Sequence, residues 1–309
     1  MIKKNSIKLL DNPKKPKSEW VLFWLILPLV IWTIITCYIP IAGWSYAFID
    51  YRLGRSPFTS PFVGLDNFKQ MFSSTSRLPR ALRNTLIPNL MGYSLCWLPV
   101  AFAICITELR KVWLRKTVQV ITTIPNFISW VMVFGLMFAL ISNDGVINIW
   151  LLRLGLINKS INLLGNVKIA YILQTMLNTW KGLGFSAVIY LAAIAGIDQE
   201  LYDAAMIDGA GRYKCAIHIT VPGILPTFFV QMVLNISYFF ASGMDYPLIF
   251  ANPLTNPKLE NIAMYSYNLF KNADYSYGIA LGMLNSIVAI MMLCLANALA
   301  KRVRGQTIV

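Results

Sequence analysis

Six separate apolar runs, each long enough to cross a bilayer, constrain this chain before anything else in it. A hydrocarbon core about 30 Å thick needs roughly 20 apolar residues of helix. The runs fall near 20–48, 85–106, 118–141, 169–195, 224–247 and 277–299. Backbone N–H and C=O groups in lipid must be satisfied internally, so segments of this length are expected to be helices. The chain is therefore expected to be an all-α membrane protein with six transmembrane helices. Only 13% of its residues are charged, against about 25% in a soluble domain. The first run is about twice the length of a signal-peptide apolar region and reads as a signal-anchor span. The fourth and fifth are weaker, because they contain Asn178, Lys181 and Asn235.

Charge sets an expected orientation. The formal net charge is +14, but the bases form no basic domain with interleaved aromatic residues, so nucleic acid is not an expected partner. Residues 1–19 form a basic tail with Lys3, Lys4, Lys8, Lys14, Lys15 and Lys17, ahead of a membrane domain over 20–309. The short second loop carries Arg110, Lys111, Arg115 and Lys116, and the C-terminus Lys301, Arg302 and Arg304. Six spans put all three segments on one side. Basic loops favour the cytoplasm, which places both termini there. The five cysteines have neither metal spacing nor a disulfide pattern, and read as small apolar residues. Pro28, Pro40, Pro88, Pro99 and Pro226 fall in or at the ends of the spans, where they can kink a membrane helix.

On the same side lies "YDAAMIDGAGRYKCAIHITVPG", residues 202–223, a polar insert in an apolar chain. Asp198 is a suitable N-cap for a short helix, and Glu200 complements the positive end of its dipole. Gly209 and Gly211 permit a sharp change of direction. A second amphipathic segment from Arg212 to Thr220 then completes a helix–turn–helix element, with the next span beginning beyond Pro222. A solvated loop has no need of paired alanines, and four acids suit an anionic lipid surface poorly. Gly209-Ala210-Gly211 lacks the third glycine and the preceding strand of a dinucleotide fingerprint. Docking against another protein is the reading that remains. His218 reads as an ordinary boundary residue, and Cys215 has no assigned role.

These residues carry a resemblance. Asp203-Ala204-Ala205, then Gly209, Ile219 and Pro222, are similar to the EAA loop of the permease subunits of binding-protein-dependent ABC importers. Asp203 stands where the family has Glu, and Val221 where it has Leu. "VGLDNFKQMF", "ALRNTL", "IPNFISW" and "IYLAAIAGIDQELYDAAMIDGAGR" resemble the oligosaccharide and polysaccharide branch of these permeases. The resemblance implies the type I permease fold, with a cytoplasmic coupling loop over 196–223. It also implies a second permease subunit, two ATPase subunits that hold ATP and Mg, an extracytoplasmic solute-binding protein, and a prokaryotic cell membrane. Asp203, Ala204, Ala205, Gly209, Ala210, Arg212 and Pro222 are the implied ATPase-coupling residues, Arg212 being either a groove contact or a locally paired charge.

The chain has no G-x-x-x-x-G-K-[ST] phosphate loop, no nucleophile–base constellation and a single histidine, so catalysis and a metal site are not expected in it. Polar groups within spans are costly and mark candidate substrate-path residues. These are Asn178, Trp180, Lys181, Asn235, Ser237, Tyr238 and Asn285, with helix–helix hydrogen bonding as the competing role. Lys181 could meet an acidic glycan, snorkel, or pair with an acid of the partner permease. The turn-rich stretch 243–257 is a candidate contact for the binding protein. A stand-alone secondary carrier or channel is the alternative reading. It normally needs repeats or intramembrane acids, and the spans are poor in both.

Overall fold

Among the residues described by the computed structural model, 18–240 and 243–304, the chain is helical almost throughout. Extended pairing there is limited to one isolated bridge, between Ile49 and Phe62. The basic tail lies outside the described residues except for its last two. The helices are α1 Ser18–Thr33, α2 Asp66–Met71, α3 Leu78–Ser94, α4 Leu98–Thr107, α5 Val112–Phe127, α6 Trp130–Ile141, α7 Val146–Arg153 and α8 Ala170–Ala195. They continue as α9 Gln199–Ile207, α10 Arg212–Cys215, α11 Val221–Ser237, α12 Asp245–Phe250, α13 Asn256–Leu259, α14 Ile262–Lys271 and α15 Tyr275–Arg304.

Five helical stretches are long and apolar enough to cross a membrane: Leu22–Phe48, Leu78–Thr107, Trp130–Arg153, Arg212–Ile236 and Tyr275–Ala298. A sixth is reached when α8 and α9, which meet at a 70° bend, are taken as one. The 26 residues of α8 suffice for a crossing at 1.5 Å per residue. Gln174, Asn178 and Lys181 dilute its apolar character.

The architecture centres on α8, which packs against α3, α4, α5 and α11. Gly184 permits the closest of these approaches, since a Cβ there would overlap the Thr122 backbone of α5. On the other side α15 packs against Ile39–Phe48, α2, α11 and α14. The first part of the first span, α1, stands apart. Trp20, Trp24, Leu25, Leu29 and Trp32 are all more than 60% exposed, as expected of a helix apolar all round whose surroundings are lipid or another subunit.

Three helix boundaries differ from the sequence expectation, each for a backbone reason. The second span begins at Leu78, seven residues before 85, because Leu78, Ala81, Asn84 and Thr85 form one face that is buried against other protein. The third run, 118–141, is divided: α5 ends at Phe127, Ile128 and Ser129 are extended, and the Ser129 hydroxyl accepts the Met132 N–H to start α6. Pro125 weakens the last turn of α5 by removing a hydrogen-bond rung.

The third difference concerns the polar insert. Its second half is no separate surface helix, for Arg212–Ile236 forms one continuous stretch. Pro222 is accommodated by a π-turn over Ala216–Thr220, and Pro40 by another over Ile34–Tyr38. Each π-turn ends two residues before its proline and absorbs the missing i→i−4 bond. The fifth span therefore covers 212–237 rather than 224–247. Beyond it, the turn-rich stretch forms α12, whose Tyr246, Pro247 and Phe250 are buried.

Candidate functional site

The polar insert folds as a hairpin between two spans. The Asp198 carboxylate accepts the Glu200 N–H at 3.0 Å and caps α9. At the other end Gly209 has φ +77°, the Gly209 N–H reaches Met206 O at 3.1 Å, and the Ala210 N–H reaches Ala205 O at 2.8 Å. This is a Schellman motif, which glycine closes because it reaches the left-handed region at little cost. Tyr202 and Thr220 share a hydroxyl–hydroxyl bond of 2.9 Å, fastening α9 to the start of the fifth span. A Cβ on Gly223 would crowd the Ile197 side chain, so the two arms also meet closely at their base.

The outer surface of this hairpin is open. No residue of α9 is buried. Asp203 and Ala204 are exposed, Ala205 and Ala210 are half-buried, and Pro222 is exposed on the fifth span. Ile207 is 87% and Tyr213 78% exposed, beside Leu201 and Met206. These exposed apolar side chains make the hairpin a candidate interaction surface. Arg212 instead turns inward: its guanidinium lies 3.6 Å from the Glu108 carboxylate and 3.4 Å from the Glu108 carbonyl. His218 Nδ1 lies 3.0 Å from the Lys214 carbonyl, which it meets as a donor in the Nδ1–H tautomer.

A cavity of about 430 Å³ opens between α3, α8, α11 and the start of α12. Asn89 and Tyr93 from α3, Gln174 and Asn178 from α8, and Gln231 and Asn235 from α11 line it. Within each helix the two residues are four apart, so each pair shares one face. Trp130, Tyr238, Asp245 and Tyr246 add to the lining, with Thr179, Ser186 and Tyr190 supplying further hydroxyls. Trp130 meets Tyr246 edge-on at 5.2 Å, and Tyr246 stacks on Phe250 at 4.3 Å, which holds the aromatic wall in place. Two buried polar atoms of lining residues lack partners among the described residues: the Tyr93 hydroxyl and Gln174 Oε1.

Of the seven expected path residues, Asn178, Asn235 and Tyr238 line this cavity. Ser237 ends α11, and its side chain lies outside the described residues. Trp180, Lys181 and Asn285 do not line it. Trp180 is 40% exposed on another face of α8, and Asn285 borders a separate hole of about 20 Å³. Lys181 holds the break in the third span: its Nζ donates to the carbonyls of Pro125, Asn126 and Ile128 at 3.0, 2.7 and 2.6 Å. An ammonium has three donors, and all are used where the α5 dipole favours positive charge. Trp130 lies 5.6 Å from the same ammonium.

Sequence reading missed Tyr93, Gln174, Gln231, Trp130 and Asp245, although the i,i+4 spacing of amides was there to be found. It also missed a buried brace beside the cavity. Glu260 is fully buried and accepts from Arg80 at 2.6 Å and Asn268 at 3.0 Å, with Arg77 at 3.9 Å. Asn84 donates to the carbonyls of Pro257 and Glu260 and accepts from the Tyr171 hydroxyl at 2.6 Å. The Thr85 hydroxyl accepts the Ile262 N–H. "ALRNTL" is thus the segment that ties α3 to the chain between α13 and α14.

Residues 98–305 match the family described as binding-protein-dependent transport system inner membrane component. Protein LplB of Bacillus subtilis (strain 168) is 32% identical over 289 residues, covering 93% of this chain and 90% of LplB. The polygalacturonan/rhamnogalacturonan transport system permease protein YteP of the same organism is 33% identical, with 91% and 88% covered. A crystal structure of a bacterial ABC transporter involved in import of the acidic polysaccharide alginate contains a chain with a TM-score of 0.84 and 32% identity, covering 93% of this chain and 97% of that one. The same fit is seen in the alginate transporter complexed with a periplasmic protein bound to an alginate pentasaccharide. The helical architecture is accordingly the ABC importer permease fold, and the chain belongs to the family of binding-protein-dependent transport system inner membrane components.

Proposed function

We propose that this chain is one of two permease subunits of an ATP-driven oligosaccharide importer in a prokaryotic cell membrane. It pairs with a related permease, two ATPase subunits that hold ATP and Mg, and an extracytoplasmic solute-binding protein. Both termini and the 199–220 hairpin face the cytoplasm in this reading. The observation that carries it is mechanical: two of the helices that line the cavity, α8 and α11, are the two that emerge from the exposed hairpin. A push on α9 from an ATPase groove is transmitted to both cavity walls, because Tyr202–Thr220 and the Ile197–Gly223 contact keep the hairpin from flexing separately.

The hairpin's surface suits such a groove. Ala204 and Ala205 permit close approach, Ile207 and Met206 supply apolar area, and Asp203 supplies charge. Arg212 is committed to Glu108, so its role is to brace the hairpin against the turn after α4. Amides and aromatic rings around the cavity match the hydroxyl edges and apolar faces of sugars. Similarity to a polygalacturonan/rhamnogalacturonan permease and to an alginate importer supports a saccharide cargo.

The test is reconstitution of the four-component importer in liposomes. Expected is vanadate-sensitive ATPase activity and sugar uptake that both require the ATPase subunits. Ala205→Arg in α9 should abolish both while the chain still inserts and melts normally. Unaided transport by this chain alone would instead identify a secondary carrier.

A further inference from the structure

We infer that this chain's part of the cavity selects uncharged oligosaccharides over uronic-acid ones; the inference rests on the saccharide-path reading above. Its basis is the chemistry of the groups that face a ligand there. Asp245 is the one charged side chain among the described lining residues, and it is exposed. The buried lining atom Gln174 Oε1 has no partner, and a carbonyl oxygen can only accept. Both groups therefore call for a donor. Hydroxyls of either class of sugar supply one, and the unpartnered Tyr93 hydroxyl can donate or accept. What a uronate adds is a carboxylate, which brings acceptors alone and sets its charge against that of Asp245.

The cation nearest this lining does not change the balance. The three protons of Lys181 are spent on the carbonyls of Pro125, Asn126 and Ile128. Recruiting them for a glycan would leave those carbonyls bare at the end of α5. The Asn178 amide is partly committed as well, donating to the Gln174 carbonyl at 2.9 Å. A uronate chain carries one carboxylate on every ring. Each must shed water on entering, which costs several kcal/mol unless a cation receives it, and here each also meets the like charge of Asp245. Uncharged rings pay no such penalty. Their apolar faces suit Trp130 and Tyr238 on the same wall.

The experiment measures equilibrium binding to the assembled permease–ATPase complex in nanodiscs without the solute-binding protein, so that the cavity alone discriminates. The probes are maltopentaose, cellopentaose and xylopentaose against the pentamers of galacturonate and mannuronate. Expected is at least one uncharged sugar bound about tenfold or more tightly than either uronate, tenfold being about 1.4 kcal/mol. Asp245→Asn should narrow that gap, Asp245→Lys should close or reverse it, and Gln174→Leu should weaken the uncharged sugar. Asp245 is exposed, so unchanged thermal melting of its variants verifies that the fold is intact. Equal or tighter binding of a uronate, or a gap unmoved by both Asp245 variants, overturns the charge inference and leaves the importer reading standing. Binding of none of the five sugars sinks the saccharide path and this inference with it.

Discussion

Glu260 caps the end of one short helix and Asp203 sits in the middle of another, and the molecule treats these two acids in opposite ways. Glu260 is fully buried and is met by Arg80, Asn268 and the more distant Arg77. Asp203 is exposed and makes no ion pair with a described residue. The first region largely closes on itself, with Arg80 Nε left without a partner among the described residues, and even its backbone carbonyls are claimed by Asn84. The second is stiffened from behind by a cap, a Schellman turn and a tyrosine bond, while its outward face is left unspent. A polar cluster satisfied within the chain serves to hold the fold. One whose backbone is satisfied but whose side chains are not is prepared for something outside it. That contrast separates the brace from the docking surface without reference to any relative.

The comparison breaks most visibly at Glu260. Glu260→Ala leaves the Arg80 guanidinium against a buried site with no counter-charge. The Arg80 side chain is 36% exposed, so the loss is that of charged hydrogen bonds, about 1.5–3 kcal/mol, read as a clear drop in melting temperature in detergent. The double change Arg80→Met, Glu260→Leu should recover much of it, because a packed apolar pair replaces ions at little net cost. If Glu260→Ala melts like the parent, the region is not a brace.

Lys181 tests whether the broken third span belongs with the closed region. Lys181→Met keeps the volume and removes three donors, exposing carbonyls to a weakly polar environment at about 1–3 kcal/mol for an unsatisfied group. A destabilisation of about 2 kcal/mol is expected, with Lys181→Arg intermediate because its planar fork fits three converging carbonyls poorly. Thermal melting and faster hydrogen exchange at 126–130 would record it. A Lys181→Met variant that is stable but loses sugar binding would instead return this residue to the substrate path.

Lys181 also marks where sequence ran out. A cation in an apolar run announces a partner, but the partner is the backbone of a helix 53–56 residues away, and one-dimensional spacing holds no such information. The membrane spans were legible because apolar length is a local property, and the hairpin because caps and glycine turns are. The continuity of Arg212 into the fifth span was missed because Pro222 reads as a helix boundary. The π-turn that absorbs it has no residue signature. Glu260 was overlooked because its segment is rich in turn formers and reads as loop, while its burial depends on Arg80 and Asn268 arriving from either side.

On the open side, Ile207→Asp should leave the chain's melting unchanged within about 0.5 kcal/mol, the usual range for an exposed site. Its effect belongs to assembly. If Ile207 is a central contact, losing it costs about 2 kcal/mol of interface energy, some thirtyfold in affinity for the ATPase subunits. Titration of purified ATPase against the permease pair would read this directly. A variant that binds the ATPase normally would show that the exposed apolar side chains face lipid or water.

The smallest expected effect is at Arg212–Glu108, the contact joining the open region to the body of the fold. Its shortest charged distance is 3.6 Å, and the two side chains are 60% and 44% exposed. Solvent screening limits such a pair to about 0.2–1 kcal/mol. A double-mutant cycle with Arg212→Ala and Glu108→Ala should give a coupling near the lower end of that range for the melting of the chain alone. In the assembled importer the same cycle is read on ATPase activity per sugar transported. If the hairpin works as a rigid lever, either single change raises ATP use per sugar while stability barely moves, since Arg212 then steadies α9 under load. If both readouts stay flat, the hairpin is held by Tyr202–Thr220 and its own caps alone, and Arg212 is a surface charge with a convenient neighbour.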